Sequence, residues 1–426
     1  MWTYHFLAVF FAALVLGVLL GTLTGLIPGF HPNNVAVILV SISPVLVQNS
    51  HFLAPSDFSF IVASAILATA VTHTFLSFIP AAFVGAPEAD TALSLLPAHR
   101  LLLEGRAYEA TVLSAIGSFG AVIFSLLWLI PFYFIVSSRL FAILQSHLLY
   151  VLIGISAILI LTESFSERME PHLAIMLSTM VFTISGIFGV VLQKLPVPMF
   201  LPAFTGLFGL STILYSLFYT PEIPPQEIKE PEIENMELLK SIASGAISGS
   251  VVSVLPGITS AHATVMAMLA RRNREPEQVI LTLSGVNTAN VIFCTATLFL
   301  TLHARSGTMV AISRIMEVQP WEGIAAPPRA FILLLIAVLT ASAFSFFVTR
   351  YVGKQFSLFF CGIPYRKMLF GIIVSLTLLV FVINGWLGLL VLFVATTIGL
   401  IPIFAGVRRS NCMGVLLLPI IIAVLH

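Results

Sequence analysis

The sequence predicts an all-α polytopic membrane protein of about 12 transmembrane helices plus two short half-helices, arranged as two structural repeats with broken helices. Three observations carry this expectation. Of its 426 residues, 59% are hydrophobic and 9% are charged, and the mean hydropathy is +1.08. A soluble domain carries roughly 25% charged residues, so this chain cannot cover a water-facing surface. Apolar runs of bilayer length recur along it between short polar patches. A glycine pattern ending in Pro-Gly then occurs twice, once in each half.

The elements follow in order. The opening run, "MWTYHFLAVFFAALVLGVLL", lacks a basic n-region and a small-residue cleavage site, so it reads as a retained first helix over 5–27. It runs into "GTLTGLIPGFHPNNVAV", where Pro28-Gly29 breaks it. Residues 33–47 follow as a half-helix, short of the roughly 20 residues a span needs. Spans are expected over 58–80, 108–136, 144–162, 171–191 and 198–219. Residues 220–236, "TPEIPPQEIKEPEIENM", are rich in Pro and Glu and read as a solvated linker with no binding role. The second half continues with a helix over 237–255, a half-helix over 260–270 after Pro256-Gly257, and spans over 277–302, 328–350, 367–385, 386–404 and 409–425. The domain division is thus 1–219, 220–236 and 237–426.

The repeat is visible residue by residue. In "GVLLGTLTGLIPGF" the marks are Gly17, Gly21 and Pro28-Gly29; in "GAISGSVVSVLPGI" they are Gly245, Gly249 and Pro256-Gly257. All four positions are displaced by the same 228 residues. Polar residues follow both breaks: His31, Asn33 and Asn34 after the first, Thr259, Ser260 and His262 after the second. "AVTHTF" at 70–75 and "GVNTAN" at 285–290 then place polar groups inside otherwise apolar spans.

These residues suit a transport site. In hydrocarbon every backbone group needs a partner, so a broken helix survives only inside protein or along a cavity. Pro28 and Pro256 remove a donor and free upstream carbonyls, while Gly29 and Gly257 let a ligand approach the backbone. Carbonyls at one half-helix end suit a cation, and N–H groups at the next helix start suit a carboxylate or phosphate. Asn33, Asn34, Asn287 and Asn290 add neutral amides; Thr72, Thr74, Thr259, Ser260 and Thr288 add hydroxyls. Arg305, at the end of a span in "LTLHARSGTM", is the candidate cation for an anionic substrate. Such residues also serve simply to bond helix to helix, and the small-xxx-small glycines read as packing positions. His31 and His73 are candidate proton carriers. Acidic residues all sit at helix ends or loops, which favours sodium over a carboxylate proton relay.

Several classes are disfavoured. A net charge of +1 gives no case for nucleic acid. Cys294, Cys361 and Cys412 lie far apart and indicate neither a disulfide framework nor a zinc site. No HExxH and no paired acids support an intramembrane enzyme, and no filter sequence supports a channel. No cofactor is expected beyond a possible sodium ion near the two breaks.

The chain resembles the large membrane subunit of the tripartite tricarboxylate transporters, the TctA-like permeases, in a divergent and archaeal form. The resemblance rests on the two Pro-Gly segments, on "SFIPAAFVGAPEADTALSLLPAHRLLLEGRAYEA" at 77–110, and on "REPEQVILTLSGVNTANVIF" followed by "LTLHARSGTMVAI". Two departures stand out: "HARSG" replaces a second-half Pro-Gly turn, and the adjacent Asn-Asn is split into Asn287 and Asn290. The resemblance implies a secondary transporter in the cytoplasmic membrane that moves small organic anions, di- or tricarboxylates above all, on a sodium or proton gradient. It also implies a small membrane subunit and an extracytoplasmic binding protein as partners, with membrane lipid around the chain and a homo-oligomer possible. The alternative cargo is a lipid-linked phosphate such as polyprenyl phosphate, which Pro-Gly turns suit equally well.

Overall fold

The computed structural model describes residues 4–27, 31–49, 54–84, 95–138, 141, 143, 146–165, 169–197, 199–219, 224–255, 259–271, 275–360 and 365–425. All regular structure among them is helical. The first half holds α1 (Tyr4–Leu26), α2 (Pro32–Asn49), α3 (Pro55–Leu76), α4 (Leu95–Leu103), α5 (Ala107–Val136), α6 (Leu148–Leu161) and α7 (Pro171–Gln193). It ends with α8 (Phe200–Phe204), a π-helical turn (Thr205–Leu210) and α9 (Ser211–Tyr219). The second half holds α10 (Asn235–Val254), α11 (Ser260–Arg271), α12 (Pro276–Thr301), α13 (Gly307–Ile315), α14 (Arg329–Phe360) and α15 (Tyr365–Ala405). A 3-10 turn (Arg409–Met413) leads into α16 (Gly414–Leu425).

Among the described residues, seven helices are long and apolar enough to cross a membrane, and three shorter apolar helices accompany them. The chain is therefore a polytopic α-helical membrane protein. Proline opens α2, α3, α7 and α12, where a missing N–H costs nothing and the fixed φ suits a helix start. α12 stops at Leu302, whose left-handed φ of 58° turns the chain out of the helix.

Burial sorts the spans. The apolar stretch of α3 is 94% buried and that of α12 is 83% buried, whereas α1 and α5 are each 33% buried. The outer helices thus show most of their apolar surface to lipid, and α3 and α12 form the centre. The polar residues singled out in "AVTHTF" and "GVNTAN" lie on these two central helices.

Glycines let α1 and α10 approach the centre. A Cβ at Gly17 would lie 2.6 Å from the Ala65 carbonyl and 2.7 Å from Ala68 Cβ; at Gly21 it would meet Thr69 O and Thr72. In the second half Gly245 sits over Thr282 and Gly285, and Gly249 over Val286, Ala289 and Asn290. Positions 65, 68, 69 and 72 correspond in this way to 282, 285, 286 and 289, a constant displacement of 217. α5 crosses α12, where a Cβ at Gly117 would lie 2.3 Å from Leu281 O, and α14 packs on α3. α5 and α14 pack against each other in opposite directions: Gly353 lies on Thr111, Phe346 lies 5.6 Å from Phe119 between ring centroids, and Tyr133 Oη donates to Glu322 O just ahead of α14.

A second packing unit stands beside this centre. Val181, Phe204, Leu207, Phe208, Ala395, Ile398 and Met413 form a separate apolar cluster from α7, α8, the π turn, α15 and the 3-10 turn.

The structure departs from the expected element list in several places. The span expected over 198–219 is a continuous helical run with a π turn inside it. The helices expected over 367–385 and 386–404, by contrast, are found as two, divided inside α15 (Tyr365–Ala405) at Gly385, whose φ of 63° and ψ of −157° are non-helical. The span expected over 328–350 extends to Phe360. α4 and α13, each 9 residues, were not expected; neither is long enough to give a hydropathy signal. The linker is not uniformly solvated. Gln226 is buried: its Oε1 accepts from Ala107 N at 3.0 Å and its Nε2 donates to Leu102 O at 3.0 Å, which straps the linker to the α4–α5 turn.

Candidate functional site

Pro28, Gly29, Pro256 and Gly257 lie outside the described residues. The helix starts that follow them are described, and each is capped by a side chain. His31 caps α2, with Nδ1 accepting from Asn33 N at 3.2 Å. Thr259 caps α11 reciprocally with His262: Thr259 N donates to His262 Nδ1 at 3.3 Å, Thr259 Oγ1 lies 2.9 Å from the same nitrogen, and His262 N donates back to Thr259 Oγ1 at 3.5 Å. This is the capping-box exchange with histidine in the place of Glu or Gln. Because Nδ1 accepts, the proton sits on Nε2, which is buried and without a partner among the described residues.

The first group of predicted residues gathers around α2, α3 and α13. Asn33 Oδ1 accepts from Thr308 Oγ1 at 3.1 Å, and Gly307 lies against the Asn33 amide. Arg305 stands two residues before that glycine, half-buried, with its Nε buried and unpartnered among the described residues. Ser306 caps α13 by accepting from Met309 N at 3.3 Å. The His31 and His73 rings lie 5.5 Å apart, and His73 Nδ1 is 3.2 Å from Thr24 Oγ1. Asn34, by contrast, is exposed.

Between the central helices, Thr74 Oγ1 lies 2.9 Å from Thr288 Oγ1. Since Thr74 already donates to Val71 O at 2.7 Å, Thr288 is the donor in that pair. Thr72 shares a hydrogen bond of 2.9 Å with Ser345 on α14. Asn287, one residue before Thr288, is 7% exposed, and its amide has no hydrogen-bond partner among the described residues. Asn290 Oδ1 accepts from Cys294 Sγ at 3.3 Å. In the second group, Ser260 is fully buried at the start of α11 beside Thr259 and His262.

Sequence reasoning missed Thr24, Thr308 and Ser345, because their partners lie tens to hundreds of positions away. It also missed a charged frame at one end of the bundle. Arg106 donates to Glu109 at 2.6 Å and to Glu277 at 2.7 Å, joining α5 to α12, and Arg271 donates to Glu237 at 2.9 Å. The hydrogen bond to Glu109, with Glu277 beside it, holds the Arg106 pKa above the usual arginine value.

A family model for the tripartite tricarboxylate transporter TctA family matches residues 11–414. The chain belongs to this family. TctA proteins are the large membrane subunit of a tripartite transport system, so the chain is a multi-pass cell-membrane protein and a membrane component of a transporter. An uncharacterized protein of Methanocaldococcus jannaschii is 27% identical over 422 residues, which cover 96% of this TctA chain and 97% of the relative. No solved structure matches the chain.

Proposed function

We propose that the chain is a secondary transporter that carries a small organic anion, a di- or tricarboxylate, through the cell membrane on a sodium or proton gradient. The observation that carries this reading is the pair of capped helix starts at His31–Asn33 and Thr259–His262, each beside a nearly fully buried central helix with polar side chains. Half-helix starts with their positive dipole ends, set in corresponding places of two halves, are a carrier's way of holding carboxylates near mid-membrane. Asn33 and Asn287 complete the site with neutral amides, and sodium is the favoured coupling ion for a site of carbonyls, amides and hydroxyls. A small membrane subunit and an extracytoplasmic binding protein would deliver the anion.

The two halves, 1–219 and 237–426 about a linker over 220–236, act in this reading as inverted repeats. Support comes from the constant displacement in the glycine contacts and from the opposite directions of α5 and α14, which hold the same place in each half. Equivalent spans that run oppositely are related by an axis in the membrane plane, and exchange between two such arrangements gives alternating access.

Uptake of labelled citrate into proteoliposomes tests the reading, with sodium and proton gradients imposed separately. Asn33→Ala and Asn287→Ala should abolish uptake while the protein still elutes as a folded species. Full uptake by both variants would overturn the site, and uptake of polyprenyl phosphate in place of citrate would overturn the cargo.

A further inference from the structure

We propose that Arg409 is the cation of an anion site where the Arg409–Met413 turn meets the start of α11, and that it takes a carboxylate of the carried anion. This rests on the transport reading and moves the cationic role from Arg305 to a residue the sequence leaves undistinguished.

Arg409 is 6% exposed. Its Nη1 donates to Phe208 O at 3.3 Å and to the Thr212 hydroxyl, both neutral acceptors. Its Nε and Nη2 have no hydrogen-bond partner among the described residues, and no carboxylate pairs with it there. Four other arginines of the bundle are matched: Arg106 with Glu109 and Glu277, Arg271 with Glu237, Arg350 with Glu230, and the neighbouring Arg408 with Glu163. A buried charge is retained when something pairs with it. The Nε–Nη2 edge of a guanidinium is the fork that grips a carboxylate with two parallel bonds.

The surroundings supply further donors, and Glu163, the buried carboxylate at this turn, is engaged by Arg408. The π turn Thr205–Leu210 presents Phe208 O to the guanidinium and so fixes its Nη1 side; π turns recur at functional positions in helices. His99 on α4 lies within electrostatic reach of Arg409. α11 packs its first turn into the same place: Ala261 joins the apolar cluster that contains Cys412 and Met413, and α11 touches the 3-10 turn. His262 of that turn is 1% exposed, and its Nε2 proton has no acceptor among the described residues. A buried donor without an acceptor and a buried cation without an anion therefore lie on two elements in contact, next to Thr259 and Ser260. One carboxylate answers both.

The test is thermal unfolding of the purified full-length chain in detergent, for wild type, Arg409→Gln, Arg409→Lys and Arg305→Gln. Each is titrated with citrate, with inorganic phosphate, and with mixed micelles containing phosphatidylglycerol. Citrate should stabilise wild type and Arg305→Gln alike. Arg409→Lys should bind about tenfold more weakly, since a point charge replaces the fork, and Arg409→Gln should lose the response. Without ligand, Arg409→Gln should unfold at the wild-type temperature or higher, because an unmatched buried charge has been removed. An unchanged citrate response in Arg409→Gln, or a lowered midpoint in that variant without ligand, overturns the proposal and leaves the transport reading standing. Stabilisation by phosphatidylglycerol or phosphate alone, lost in Arg409→Gln, reassigns the site to a phosphate and overturns the carboxylate. If citrate protects neither wild type nor any variant and drives no uptake, the transport reading and this proposal fall together.

Discussion

Gly307→Ala is the sharpest perturbation of the candidate site, because the three atoms nearest the added Cβ all belong to Asn33. Its Cβ would stand 2.6 Å from Asn33 Cγ, 2.7 Å from Nδ2 and 2.9 Å from Oδ1. Ordinary contact begins near 3.4 Å, so the Asn33 amide must retreat by roughly 1 Å. The 3.1 Å bond from Thr308 to Asn33 Oδ1 would then open to about 4 Å, past hydrogen-bonding distance. A bond of this kind contributes about 0.5–1.5 kcal/mol. If the bond orients Asn33 toward the anion, KM for uptake should rise about 2- to 12-fold at that energy. The fold should respond only modestly, because the displaced group is the end of a side chain; a loss of no more than the roughly 0.5–1.5 kcal/mol of the bond itself is expected. Initial-rate uptake in proteoliposomes reads KM, and a denaturant titration reads stability. Thr308→Val removes the donor without pushing on Asn33 and should give the same KM. Wild-type KM in both variants would refute the assignment of Asn33 as an oriented ligand.

Other positions test the architecture. A Cβ at Gly117 would lie 2.3 Å from Leu281 O and 2.9 Å from Leu281 Cα, so Gly117→Ala must separate α5 from α12 and should cost about 1–3 kcal/mol in an unfolding titration. Gly371→Ala, which meets nothing within 4 Å inside α15, should cost nothing and raise stability by up to about 1 kcal/mol. Gln226→Ala leaves the buried Ala107 N–H without its acceptor; a loss of about 1–3 kcal/mol and faster proteolysis within the linker are expected. His99 is partly buried near Arg409, and burial first, then that charge, pulls its pKa down to about 4. The unfolded chain therefore binds a proton that the fold refuses, so stability should fall as pH drops from about 6.5 and level off below about 4. His99→Gln should flatten that slope in a thermal-unfolding series across pH.

The parts of this molecule legible in its sequence are those written in local composition. Lipid as the solvent follows from hydropathy, and the division of the last long run at residue 385 follows from a glycine that takes a backbone conformation closed to most residues. The π turn inside 198–219 carries no such mark, because its residues are as apolar as a regular helix. Asn33 could be named as a polar group after a break, but not as the partner of Thr308, which is 275 positions away.

The two arginines at 408 and 409 show where reading must stop. They are adjacent, chemically identical and sit together before the same apolar helix. Yet Arg408 pairs with Glu163, 245 positions distant, while Arg409 turns inward to a carbonyl and a hydroxyl. What separates them is which one the fold supplies with a counter-charge. A carboxylate assigned to Arg408 by tertiary structure leaves Arg409 unmatched, and an unmatched cation in a bundle that carries anions is a binding group until a structural partner is found for it. Exchanging the two environments tests that logic. Glu163→Gln should strand Arg408, whose exposure of 33% lets it turn to water, at a cost near that of one charged hydrogen bond, about 1.5–3 kcal/mol. The citrate response at Arg409 should persist, because Glu163 never served it. Loss of that response with full retention of fold would mean that the two arginines share one carboxylate, and that neither is free to hold an anion.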